Sequence, residues 1–230
     1  MFNNKKILVV IPARSGSKGI KNKNIKKING KHLIYYTINY AQKSKVVDKI
    51  IVSTDSKKYA KISNRYGVET PFLRSKHISR DTTKDFPVII DALRKTEKFF
   101  KLKFDYVIIL RPTSPKREKM LIEKGIKILD KNNKADSVRA VTINKYHPFR
   151  YWRMQSNGFM KSFIKTKEEP YNIPRQKLPL AFFQSGDIEI VKRKTLLNGS
   201  VTGKKVLPLI IKRSFDLDTI DDIKNFKKKT

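Results

Sequence analysis

The run Ile7-Leu8-Val9-Val10-Ile11 is apolar at every position rather than at every second one, so both of its faces must be covered. Such a strand belongs inside a parallel sheet with helices on either side. The chain passes directly from it into Pro12-Ala13-Arg14-Ser15-Gly16-Ser17-Lys18-Gly19-Ile20-Lys21-Asn22-Lys23-Asn24. Gly16 and Gly19 are read as the positions that let this loop turn tightly and approach a ligand. The amides they free form an anion-binding concavity. Arg14, Lys18, Lys21 and Lys23 bring four cations to the same loop. A buried strand running into a basic, glycine-containing loop is the outline of a phosphate site.

Short apolar runs alternate with amphipathic stretches along the rest of the chain, which predicts an α/β fold with a mostly parallel sheet. Strands are expected at Ile7–Ile11, Lys49–Ser53, Tyr106–Leu110, Ser137–Val141 and Phe182–Val191. Helices are expected near His32–Ser44, Lys57–Tyr66, Phe86–Phe100, Glu118–Asp130 and Ile220–Phe226. Between Asn144 and Lys177 the pattern breaks up around Pro148, Pro170 and Pro174, so this part reads as an insertion with little regular structure. At 230 residues the chain fits a single domain, residues 1–230.

The absence of cysteine rules out disulfides and Cys-metal sites. No apolar run approaches the roughly 18 residues of a membrane span, and the first is too short for a signal peptide. A cytoplasmic location is expected. The net charge of +33, from 53 Lys and Arg against 20 Asp and Glu, raises the possibility of a basic nucleic-acid-binding protein. The lysines are dispersed, however, and the aromatics sit mainly in apolar runs rather than among arginines. We therefore expect no specific nucleic-acid partner, although the charge would attract small anionic substrates.

Two phosphate loops are excluded by spacing. Gly16-x-x-Gly19 is not the G-x-G-x-x-G of dinucleotide folds, and no lysine in the loop precedes Ser or Thr as a P-loop requires. In parallel sheets ligands gather at the carboxyl ends of strands. The basic loop, Ser53-Thr54-Asp55 and Arg111-Pro112-Thr113-Ser114-Pro115 all follow predicted strands. Asp55 itself reads as a turn residue that ends its strand. His32, His77 and His147 are scattered and suggest neither a metal cluster nor a nucleophilic triad. Trp152 and its aromatic neighbours suit an interface better than a cofactor site.

The string Pro12-Ala13-Arg14-x-Gly16-Ser17-Lys18-Gly19-Ile20-x-x-Lys23-Asn24 resembles the signature loop of the acylneuraminate cytidylyltransferases. The likeness extends from the first strand to Asp222. It implies a nucleotide-diphospho-sugar transferase-like variant of the Rossmann theme. It also implies that residues 144–177 form a dimerisation and substrate-lid insertion, and hence a homodimer. The implied reaction joins CMP from CTP to an acidic nine-carbon sugar with release of pyrophosphate. The alternatives are Kdo or another sugar, or UTP as the nucleotide.

Nucleotidyl transfer needs neutralised phosphates, an aligned hydroxyl and a metal-bound leaving group. The resemblance assigns Ala13, Arg14, Gly16, Ser17, Lys18, Lys23 and Asn24 to the nucleotide, with Lys23 and Arg14 nearest the reacting centre. Arg74, Thr82, Thr83 and Asp85 fall in a segment implied to line the base and ribose pocket. Unmatched, Arg74 and Asp81 would read as a surface ion pair. Asp216-Leu217-Asp218 places two hard oxygen donors on one side of an extended segment, suited to Mg²⁺. Asp216 doubles as a general-base candidate, while Asp218 or Thr219 is placed to cap the following helix. Arg175 is a candidate carboxylate clamp, with Gln176 beside it, and Arg111 and Ser185 complete the sugar set. The chain departs from the common pattern at Asp85, at Arg111, which stands where many relatives carry Gln, and at Ser185. Asp187 adds an acid that an acidic sugar would tolerate only if it faces away.

Overall fold

The computed structural model describes residues 2–17, 19–166 and 169–228. In chain order its principal elements are β1 (Ile7–Pro12), a two-stranded excursion of β2 (Lys27–Ile28) and β3 (Lys31–His32), α1 (Leu33–Gln42), β4 (Lys49–Ser53), α2 (Lys57–Arg65), α3 (Asp85–Phe100), β5 (Tyr106–Ile109), α4 (Leu121–Asp130) and β6 (Ser137–Ile143). The hairpin of β7 (Trp152–Met154) and β8 (Met160–Ser162) follows, then β9 (Phe182–Lys192), α5 (Arg193–Leu197), β10 (Val206–Ile210) and α6 (Ile220–Lys228).

Six strands form one sheet in the order β10-β6-β9-β5-β1-β4. All run parallel except β9, which is antiparallel to both β5 and β6. The apolar run of β1 is explained by its two faces. Ile7, Val9 and Ile11 enter a core with α1, α2 and α4, while Leu8 and Val10 enter a second core with α3 and α5. A strand covered on both sides has no polar face to alternate with.

After β1 the chain crosses to β4 on one side, and later reaches β5 on the other. The sheet order therefore switches direction between β1 and β5, and the crevice at their carboxyl ends is where ligands collect in such folds. A small third core of Ile20, Ile28, Leu33, Leu217, Ile223 and Phe226 lies beside it and ties the loop after β1 to α6.

The nine predicted strands and helices with amphipathic or fully apolar patterns, and the final helix, are present with boundary shifts of a few residues. The structure adds the β2–β3 excursion, β10, α5 and the β7–β8 hairpin. β10 has Pro208 at its centre, which is tolerable because β10 is an edge strand paired only to β6. Among its described residues the insertion thus contains one short hairpin and otherwise single turns. Among the described residues, no helix is long and apolar enough to cross a membrane.

Candidate active site

A cleft of about 500 Å³ opens at the β1/β5 switch point. From the loop after β1 it is lined by Arg14, Ser17, Gly19, Lys23 and Asn24, and from the end of β5 by Arg111, Pro112 and Thr113. Arg74, Asp81, Thr83 and Asp85 close one side, and Asp218 closes another. Predicted residues far apart in the chain thus meet in a single cavity, of a size suited to a nucleotide-sized ligand.

The loop after β1 is built on its neighbours. The Ala13 amide donates to Ser53 O at 2.9 Å, extending the β1–β4 ladder. Asp55 accepts from the Ser15 amide at 2.9 Å and from its hydroxyl at 2.8 Å, so Asp55 anchors the loop in addition to ending its strand. Buried Asn24 donates to Arg14 O at 3.1 Å and closes the loop on itself. The backbone turn does not rest on the glycines as expected. Neither Gly16 nor Gly19 has positive φ, whereas Asn22 does, at 56°. Asparagine tolerates this left-handed conformation because its short polar side chain bonds locally. A side chain would be accommodated at either glycine: a Cβ on Gly16 or Gly19 would make only ordinary van der Waals contact, with Arg14 at 3.8 Å or Asp218 O at 3.6 Å, respectively.

Arg14 pairs with Asp81 and donates to Gly16 O at 2.6 Å. Lys23 Nζ donates to Asp218 Oδ1 at 2.7 Å, although 195 residues separate them. Lys18 lies outside the described residues, and Lys21 is exposed and does not line the cleft. Arg74 is buried under the loop, donating to Ser53 O at 3.0 Å, so it is not half of a surface ion pair with Asp81. Burial lowers its pKa, opposed by the Asp55 carboxylate. Thr83 lines the cleft, whereas Thr82 is exposed outside it.

Leu217 is buried in the third core, and its amide donates to Thr113 O at 2.8 Å. The alternation around it exposes both Asp216 and Asp218. The helix cap falls to Thr219 and Asp222, not to Asp218. The Asp222 amide donates to Thr219 Oγ1 at 3.1 Å, and the Thr219 amide donates to Asp222 Oδ2 at 2.7 Å. Asp218 is therefore free of capping, and it lines the cleft. Asp216 is not among the lining residues; its Oδ2 would stand 3.2 Å from a Cβ on Gly186.

Gly186 belongs to a bulge in β9. Gln184 pairs with Val141 and Glu189 with Arg139, five residue steps against two. Within this bulge Ser185 is buried, its hydroxyl donating to Ala140 O at 3.3 Å, and it does not reach the cleft. Asp187 turns inward, fully buried. Burial raises its pKa, partly offset by the nearby Ser214 and Ser185 hydroxyls and by Arg117. Arg117 bonds Asp187 O, Thr37 Oγ1 and Arg111 O, and burial pulls its pKa down to about 10. Arg111 contacts buried Glu189 on one side and Asp85 on the other, the latter at 2.6 Å.

Arg175 and Gln176 sit on an exposed turn. Arg175 lines a separate groove with Asn144, His147, Arg150 and Pro179, so the fold of this chain does not bring it to the main cleft. Sequence reasoning missed Arg117 and Glu189. Each is a lone charged residue whose importance appears only when the sheet places it beneath Arg111. Asp55, in contrast, was visible as a residue at a strand end.

A cytidylyltransferase family model matches residues 8–161. "Post-translational flagellin modification protein B" of Campylobacter coli is 38% identical over 95% of this chain and 92% of its own length. "CMP-N,N'-diacetyllegionaminic acid synthase" of Campylobacter jejuni is 37% identical with the same coverage, and "N-acylneuraminate cytidylyltransferase" of Escherichia coli is 31% identical over 96% of this chain and 51% of its own. Among solved structures, a CMP:2-keto-3-deoxy-manno-octonic acid synthetase complexed with CTP superposes with a TM-score of 0.74 at 15% identity, covering 97% of this chain and 98% of its own. That likeness establishes the nucleotidyltransferase fold.

Proposed function

The chain belongs to the cytidylyltransferase family, and on that premise we propose that it joins CMP from CTP to a nonulosonic acid, releasing pyrophosphate. The observation that carries this reading is the cleft in which Arg14, Lys23 and Asn24 meet Asp218 and Arg111 at the switch point of the sheet. Relatives from Campylobacter jejuni and Legionella pneumophila, at 37% and 35% identity, are named for N,N'-diacetyllegionaminic acid. A diacetylated acid of that type is our choice of sugar.

Arg14 and Lys23 would neutralise the triphosphate, and Arg74 would hold the floor of the nucleotide side. Asp216, two residues before the cleft-lining Asp218, would accept the proton of the attacking anomeric hydroxyl. Asp216 and Asp218 are exposed oxygen donors on an extended segment, a set that fits Mg²⁺. Among the described residues no three acidic or histidine side chains converge as a metal cage. Mg²⁺ commonly takes only one or two carboxylates and completes its shell with substrate phosphates and water. When bound, it would stabilise the pyrophosphate leaving group. We further propose a homodimer joined through residues 144–177, supported by the exposed apolar side chains there, and a cytoplasmic location, where CTP is available.

The test is pyrophosphate release from CTP and Mg²⁺ with a panel of nonulosonic acids. Lys23→Ala should cost about a hundred- to a thousandfold in rate. Its thermal stability should change little, because the Lys23–Asp218 pair is largely solvent-facing on the Asp side. No release with any sugar would overturn the assignment.

A further inference from the structure

Arg111 is held very unequally by its two acidic partners. Glu189, on β9, has only 2% of its side chain exposed, whereas Asp85, at the start of α3, has 48% exposed. Glu189 also pairs with Arg139 at 2.7 Å, and Arg139 in turn donates to Thr202 Oγ1 at 2.6 Å. The Arg111 main chain is pinned as well, its carbonyl accepting from Arg117 at 2.5 Å and from Thr37 at 3.3 Å. Burial alone would lower the Arg111 pKa, but the Glu189 and Asp85 carboxylates carry it above the ordinary arginine value.

We propose that Arg111 is an exchangeable receptor for the carboxylate of the acidic sugar, anchored from behind by Glu189 and occupied in the free enzyme by Asp85. This rests on the function proposed above. The two contacts differ in what breaking them costs. Separating Arg111 from Glu189 strands a buried charge. Separating it from Asp85 returns a half-exposed carboxylate to water, and such pairs contribute little. An incoming carboxylate therefore displaces Asp85 and takes over its contact with the guanidinium. Arg111 enters the cleft from the end of β5, whereas Arg14 and Lys23 enter it from the loop after β1. It is thus a cation supplied by a different element from the two assigned to the triphosphate. Arg175, the other candidate for this carboxylate, lines a different groove. Glu189 is a positioning residue, acting only through Arg111. Asp85 is an internal competitor that keeps the receptor satisfied when no acid sugar is bound.

The experiment compares an N-acetylated nonulosonic acid with its methyl ester at saturating CTP. Wild type should favour the acid. Arg111→Gln should lose about tenfold or more in kcat/KM on the acid and little on the ester, so the preference collapses. Asp85→Asn should lower the KM for the acid several-fold, because the competing carboxylate is gone. Glu189→Gln should raise that KM while the KM for CTP stays within about twofold, a split that general destabilisation does not produce. An unchanged acid-to-ester ratio in Arg111→Gln, or an unchanged or raised acid KM in Asp85→Asn, overturns the proposal. Should Glu189→Gln fail to fold, the other two variants decide the matter. Should wild type turn over no sugar, the proposed function fails separately. Calorimetric titration of acid against ester then tests the receptor, and equal binding of the two by wild type overturns it.

Discussion

Gly16 and Gly19 could each carry a methyl group in the folded protein, since neither needs positive φ and neither has a neighbour within 3.5 Å of a built Cβ. Gly16→Ala and Gly19→Ala should therefore leave the melting temperature unchanged to within about 2 °C, less than the shift for 1 kcal/mol in a chain of this size. Calorimetry should nonetheless show weaker CTP binding, because the space they preserve belongs to the ligand. Equal CTP affinity in both alanine variants would remove the loop from the nucleotide site. Asp187 illustrates the opposite situation, a cost internal to the fold. Burial raises its pKa, so the folded state favours the protonated acid. That contribution is fully present below the ordinary carboxylate pKa and is lost as pH rises through the folded value. Above that window its burial destabilises the fold. Asp187→Asn should raise the melting temperature at pH 7 by about 2–4 °C per kcal/mol relieved, and the gain should vanish as the pH falls to about 4. The cations of the loop after β1 were readable in the sequence by type and spacing. Their partners were not, because Asp81 and Asp218 lie 67 and 195 residues away from Arg14 and Lys23.

At the scale of elements, the Asp216-Leu217-Asp218 segment shows how a local pattern acquires its function. Alternation placed both carboxylates on one side, and this is what the structure has. Leu217 supplies the reason the segment is held beside the cleft that Asp218 lines, since it is buried with Ile20 of the loop after β1 and Ile223 and Phe226 of α6. Leu217→Ala should cost about 2–5 kcal/mol where it acts. This core is small and peripheral, so the loss should appear as local opening. Amide exchange should accelerate together in residues 214–226 and 20–28 while β1 stays protected. Faster exchange confined to α6 would show that the two segments are not coupled through this side chain. The bulge in β9 was hidden, because Ser185-Gly186-Asp187 reads as ordinary strand until its register against β6 is known. β10 was hidden too, since Pro208 argues against a strand unless the strand lies at an edge.

For the molecule as a whole, the apolar residues left over outside the two sheet cores concentrate in residues 143–163 and 180–183. Tyr146, Met154, Phe159, Phe163 and Leu180 are all more than 60% exposed. Large apolar side chains exposed together mark interaction surfaces, so sedimentation of the wild-type chain should give the mass of a dimer. Phe159→Glu with Phe163→Glu should shift it to a monomer without lowering the melting temperature of the domain; a monomeric wild type would exclude the interface. The sequence by itself determined the α/β class, the positions of the main strands and helices and the cationic character of the loop after β1. Each follows from periodicity or residue type within some twenty residues, where side-chain direction is dictated by the backbone repeat. Only the tertiary structure decided that Asn22 rather than a glycine makes the turn, that Ser185 and Asp187 turn inward, and that Arg111 stands between Glu189 and Asp85. Those outcomes depend on which strands become neighbours and in what register, a choice made by packing over the whole sheet that no local pattern encodes.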